Sequence, residues 1–148
     1  STMSLRVDYG KIAPDAANAM YATNTYLNDS TIDQGLRRLV ELRVSQINGC
    51  NYCIWLHSRQ ARDLGEPEAR IAGVADWATA DCYSDAERAA FAWTESVTRI
   101  TNGTPPADQF DALRQHFDDR QIVDLTATAA NMNALNRLGI SFCLEPPE

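Results

Sequence analysis

The sequence predicts an all-α fold on three observations. Apolar residues recur every three or four positions along most of the 148 residues, residues that start and stop helices fall between these stretches, and no alternating, turn-bounded strand pattern is present. About seven helices with short connections are expected, and the lack of strand–helix–strand units argues against a thioredoxin-like fold.

The first helix is expected to follow Pro14, whose fixed φ suits a first helical turn, with Ala16, Ala19, Met20, Thr23 and Leu27 at helical spacing. A second is expected over residues 33–47, turning Leu36, Leu39, Val40, Val44 and Ile47 inward. Asn48-Gly49 tolerates turn conformations and breaks the pattern, so a third helix begins near Cys50 and stops at Gly65. Pro67 opens a fourth that reaches about Ala78, with Ile71 and Val74 apolar. Ser84 followed by Glu87 three residues later is a capping box for a fifth, which carries Phe91, Trp93, Val97 and Ile100. Thr104, Pro105 and Pro106 start a sixth with Phe110, Leu113 and Phe117 on its stripe. Asp118 or Asp119 caps the seventh, which passes through Ile122, Leu125, Ala129, Met132, Leu135 and Leu138 to about Phe142 before Pro146-Pro147 forbids continuation.

Residues 3–148 fit one domain, and Ser1-Thr2 ahead of Met3 reads as a cloning remnant. The 13 basic and 20 acidic residues leave a net charge of −7, which repels phosphate backbones and acidic lipid surfaces, so neither nucleic acid nor membrane is an expected partner. With no apolar run of membrane-spanning length and no secretory layout at the start, a cytoplasmic location is expected. Four cysteines in such a chain, two of them spaced C-x-x-C, point to redox or metal chemistry over structural crosslinks.

On a helix, Cys50 and Cys53 are i,i+3 neighbours and Cys53 and His57 are i,i+4 neighbours, which places all three side chains on one face. Thiolates at a helix N-terminus gain from its partial positive charge, and His57 can take the Cys53 proton or hold its thiolate as an ion pair. Cys53 is therefore the expected attacker of a peroxide oxygen, passing through a sulfenic acid that Cys50 condenses with to form a disulfide. Cys50, nearer the helix start, is the expected point of exchange with an external dithiol. The same dithiol can also serve general disulfide reduction or redox sensing.

The ordered segments 39–53, His57 with Ala61-Arg62, Asp85-Ala86-Glu87-Arg88-Ala89-Ala90-Phe91-Ala92-Trp93 and Asn133-Ala134-Leu135-Asn136-Arg137-Leu138 resemble the AhpD-like alkylhydroperoxidases of the carboxymuconolactone decarboxylase superfamily, over most of the chain. The resemblance implies an all-α fold, a trimeric or hexameric homo-oligomer and a peroxidase cycle without cofactor or metal, in which the second cysteine attacks and the first resolves. It implies a small hydroperoxide as substrate and a dithiol such as a lipoyl group or a thioredoxin-like protein as reductant. The superfamily's other activity, cofactor-free decarboxylation of a lactone, is the further alternative. One position departs: the family glutamate twelve residues before the first cysteine is Arg38 here, and either Glu41, one turn later, takes the role, or Arg38 stabilises thiolate directly, or the relay is lost.

Blander readings stand beside these. Cys50, Cys53 and His57 can hold structural zinc if Cys82, Cys143 or His116 supplies a fourth ligand, although no second ligand pair is present. Cys82 and Cys143 read as small buried apolar residues, and His116 as a surface residue near a helix end. Tyr52 and Trp55 flank the active face and can line a substrate pocket but read more readily as interface packing, Glu41 among Arg37, Arg38 and Arg43 reads as a solvated charge cluster, and Asn131, Asn133 and Asn136 read as helix or subunit-interface contacts.

Overall fold

A computed structural model describes residues 4–148, so the reading of Ser1, Thr2 and Met3 lies outside the described residues. The described chain is helical with no strand: α1 (Tyr9–Ile12), α2 (Pro14–Asn28), α3 (Gln34–Asn48), α4 (Asn51–Asp63), α5 (Glu68–Ala72), α6 (Asp85–Thr98), α7 (Ala107–Arg114) and α8 (Asp119–Ser141), with 3-10 turns at Gly73–Asp76 and Ile100–Asn102. None of these helices is long and apolar enough to cross a membrane.

α3 is central and packs against α4, α6 and α8. Leu36, Leu39, Val40, Leu42 and Val44 from α3 meet Ala90 and Phe91 from α6, Leu113 from α7 and Ile122, Leu125, Ala129 and Met132 from α8 in one core. Truncating a fully buried leucine such as Leu39 costs about 2–5 kcal/mol, through lost transfer energy and the cavity left behind. Of the helix starts read from capping residues, those at Ser84 and Asp118 are made, while Thr104 caps nothing because α7 begins at Ala107 behind Pro106. Asp33 accepts from the Leu36 N–H to start α3, and both Ser84 with Glu87 and Asp118 with Gln121 form capping boxes. Each satisfies amide groups that the helix leaves unpaired.

Four other expectations change. The short α1 ahead of Pro14 carries none of the long-period pattern by which helices are recognised, and it brings the count of α-helices to eight among the described residues. On α2, Ala17 and Leu27 are buried while Ala16 and Ala19 are exposed, because α2 lies on the surface of α8 and does not enter the core. The helix from Pro67 to Ala78 ends at Ala72 and tightens into a 3-10 turn, since the Tyr83 hydroxyl donates to the Arg70 carbonyl that an α-helix would give to Val74. That contact also needs Gly73, where a Cβ would sit 2.9 Å from the Tyr83 hydroxyl. Ile100 falls beyond α6 and is exposed.

Candidate active site

The C-x-x-C lies where α3 turns back into α4. Gly49 ends α3 at φ +75°, a left-handed conformation that glycine adopts without a Cβ penalty, and the Ser45 carbonyl accepts from the N–H groups of both Gly49 and Cys50. Asn48 then ties the turn to α8, donating to the side-chain carbonyls of Asn133 (2.9 Å) and Asn136 (3.0 Å). Asn136 donates in turn to Ser45 Oγ, and Ser45 to the Glu41 carbonyl. The asparagines of the last helix thus make the helix contacts read for them; Asn131 does so by donating to Asn24. This buried amide seam fixes the turn that presents the cysteines, and satisfied polar groups of this kind impose one arrangement.

Cys50 stands at the N-cap of α4 and Cys53 one turn in, joined as a disulfide with Cα atoms 5.3 Å apart. Both sulfurs abut Gly139 of α8, where a Cβ would lie 3.3 Å from Cys50 Sγ and 3.9 Å from Cys53 Sγ. Cys50 is 1% exposed and Cys53 6%, so the expectation that Cys50 is the more accessible sulfur is not met. The C-terminal segment after α8 closes over it: Cys50 lines a pocket of about 140 Å³ with Gly49, Asn51, Cys143 and Leu144.

Cys53 faces a different cavity, of about 100 Å³. His57, Glu41, Arg38 and Gln60 form its polar wall, and Tyr9, Tyr21, Tyr52, Leu56 and Leu135 line the rest. Glu41 is no member of a solvated cluster, being 1% exposed, with Arg37 beside it fully buried. Residues from α2 and α3 cover them: Arg37 donates to the side chains of Asn28 (2.7 Å) and Gln34 (3.0 Å) and to the Asn24 carbonyl. Glu41 Oε1 accepts from Arg38 Nη1 at 2.9 Å, with Arg37 Nε 3.7 Å away. Its other oxygen stands 3.9 Å from His57 Nδ1.

His57 Nδ1 contacts Gln60 Oε1 at 2.9 Å. Both neighbours of Nδ1 are acceptors, so we place the ring hydrogen there and leave Nε2 as the unprotonated nitrogen. Burial pushes the His57 pKa below its ordinary value, with Arg38 and Arg37 adding in the same direction against the opposing pull of Glu41 and Gln60. The imidazole is accordingly neutral at neutral pH, the form required of a base. Burial, chiefly, and the neighbouring Tyr21 and Tyr52 raise the Tyr9 pKa, which keeps that phenol protonated as a donor.

The structure brings together the four residues singled out in the sequence and leaves others apart. Cys82 and Cys143 are half-buried instead of fully buried, and His116 is exposed just past α7. Among the described residues, no group of three or more His, Cys, Asp or Glu side chains is placed to hold a metal ion. Tyr52 lines the Cys53 cavity, one of the two readings open to it, while Trp55 stacks at 5.6 Å on it and under Arg59. Gln60, Gly139, Tyr9 and Tyr21 went unread. Gln60 had a signal, three residues beyond His57 on one helix face; the others reach the site only through tertiary packing.

Comparison with known proteins agrees with this geometry. The profile of the carboxymuconolactone decarboxylase family matches residues 14–96. The chain is 38% identical over 139 residues to the uncharacterized protein YdfG of Bacillus subtilis (strain 168), covering 94% of this chain and 95% of that one. A crystal structure of ATU0492, a protein of unknown function from Agrobacterium tumefaciens proposed to be the antioxidant-defence protein AhpD, superposes with a TM-score of 0.94 at 33% identity, over 98% of this chain and 99% of that one. A peroxidase-related protein of Ralstonia eutropha JMP134 with an AhpD core shares the fold, with a TM-score of 0.82 at 24% identity over 92% of this chain and 73% of its own. An all-α architecture, a C-x-x-C pair at the start of α4 and a match spanning more than half of the sequence place this chain in the carboxymuconolactone decarboxylase family, among its AhpD-like members.

Proposed function

We propose that the protein is a thiol peroxidase that reduces organic hydroperoxides or hydrogen peroxide through the Cys50/Cys53 dithiol. The observation that carries this reading is the shared cavity: Cys53, His57 and Glu41 line one space, with a carboxylate 3.9 Å behind the imidazole. His57 takes the Cys53 proton at its unprotonated nitrogen. The thiolate attacks the terminal peroxide oxygen, the O–O bond breaks, and the leaving alkoxide receives the proton back from His57 as alcohol. Glu41 balances the transient imidazolium, taking the place of the glutamate whose usual position is Arg38. Cys50 then attacks the Cys53 sulfenic sulfur, expelling hydroxide that leaves as water and forming the disulfide. An external dithiol, a lipoyl group or a thioredoxin-like protein, restores both thiols by exchange and is itself oxidised by two electrons. The setting that goes with this chemistry is a cytoplasmic homo-oligomer, a trimer or hexamer.

The test is peroxide consumption with dihydrolipoamide as reductant, in the wild type and in each cysteine variant. Sustained turnover that requires both cysteines is expected. A disulfide that dihydrolipoamide reduces without peroxide loss would assign the dithiol to disulfide reduction or redox sensing instead. Lactone decarboxylation that survives loss of both cysteines would point to the superfamily's other activity.

A further inference from the structure

The Cys53 cavity borders a second space on its outer side. Arg38 and Gln60 line both this cavity and an outer cleft of about 240 Å³ that also touches Asn28, Gln34 and Asp63. They are the two residues the two spaces share, and they form the border, or neck, between them. Arg38 is 18% exposed, and only its Nη1 has a partner among the described residues, Glu41 Oε1. The remaining N–H groups, on Nε and Nη2, have none. A guanidinium with one edge unused presents a ready fork for a carboxylate.

The charge balance points the same way. Arg37 and Arg38 face a single carboxylate, Glu41, and the neutral His57 adds nothing, so the cluster holds one positive charge in excess. Asp63, on the rim of the outer cleft, makes no ion pair with Arg38. Much of the remaining wall is apolar and aromatic, with Leu56, Leu135, Tyr9 and Tyr52. A ligand matched to this space has a compact apolar body against that wall, its reactive end at Cys53 and an anionic group at the neck.

We infer that Arg38 makes this enzyme selective for small organic hydroperoxides that carry a carboxylate, which it binds through its unused guanidinium edge. The inference rests on the peroxidase reading and adds to it a substrate class. The reacting bonds are unchanged: the O–O bond breaks as before, and the carboxylate stays intact on the product alcohol.

Two hydroperoxides with the same carbon skeleton separate the outcomes: β-hydroperoxyisovalerate, which is anionic, and its neutral primary amide. The wild type is expected to show a kcat/KM about 10- to 100-fold higher for the anion, the range a charge-assisted bidentate pair supplies. Arg38→Gln is expected to erase that ratio, while Arg38→Lys keeps part of it. Because Arg38 also touches Glu41, the absolute rate of either variant can fall, but a purely structural or relay role lowers both substrates together and leaves the ratio intact. An unchanged ratio in Arg38→Gln, or no preference in the wild type, overturns the inference. If the wild type consumes neither hydroperoxide, the peroxidase reading fails by itself, and calorimetric titration of the oxidised protein with β-hydroxyisovalerate decides the binding claim: binding lost in Arg38→Gln upholds anion recognition at the neck, and binding that is absent or unaffected overturns it.

Discussion

Cys53 and Cys50 share one disulfide yet face surroundings of opposite kind. On the Cys53 side, a buried carboxylate, the Arg38 guanidinium, a neutral imidazole and three phenols line a cavity, with Arg37 buried beside the carboxylate. On the Cys50 side lie Gly49, Asn51, Gly139 and the C-terminal segment with Leu144 and Glu145, whose carboxylate is the charged group lining that pocket. The contrast teaches that the division of labour between the sulfurs follows from what surrounds each one. A base and a guanidinium that favour a thiolate line the Cys53 side, whereas the carboxylate on the Cys50 side disfavours one, and a partner must displace the C-terminal segment to reach Cys50.

The sharpest way to break this comparison is to exchange the sulfurs' roles. Cys53→Ser is expected to lose peroxide reduction altogether, whereas Cys50→Ser is expected to consume one peroxide per protomer and stop at a Cys53 sulfenic acid, detectable by mass spectrometry after trapping with dimedone. The reverse pattern would reassign the attacking thiol to the Cys50 side.

A smaller effect is expected from the relay. His57→Gln or Glu41→Gln should lower the rate of sulfenic acid formation by about 10²–10⁴-fold, the usual contribution of a positioned base. His57 acts in its neutral form and its pKa is lowered, so the wild-type rate should rise with pH through an inflection below 6.5 and then level off. Glu41 raises that pKa, so Glu41→Gln should move the His57 inflection still lower. An inflection that stays in place would detach Glu41 from the relay. Stopped-flow rates across pH read both.

The smallest effect concerns the wall that both sulfurs share. Within a helix, glycine to alanine ordinarily gains about 1 kcal/mol. At Gly139 the new Cβ would lie 3.3 Å from Cys50 Sγ, and crowding of this kind costs about 1–3 kcal/mol, so Gly139→Ala is expected to be no more stable than the wild type. A rise in the denaturation midpoint of the oxidised protein would show that α8 has room to move away from the disulfide.

Local signals carried much of the fold. Ser84 and Asp118 announced two helix starts because a cap needs only a short side chain and an amide two or three residues on. Leu36, Leu39, Val40 and Val44 announced the central helix because their spacing repeats with the helical turn. The same logic failed for α2, where Ala16 and Ala19 keep helical spacing but meet no partner, and for α5, which a hydroxyl thirteen residues along the chain cuts short. In the site, Cys50, Cys53 and His57 were legible because one helix carries all three at i,i+3 and i,i+4 spacing.

The sequence by itself determined the all-α class, the order of the long helices and the face on which two sulfurs and an imidazole meet, since each depends on residues a turn or less apart. Only the tertiary structure decided that Glu41, with three arginines nearby in sequence, is buried at His57 and not solvated, that Tyr9, Tyr21 and Tyr52 come together, and that Cys50 lies under the C-terminal segment. Burial and charge balance are set by whichever distant helix covers a side chain. Helical periodicity fixes which way a residue points along its own helix, and says nothing of what it will meet there.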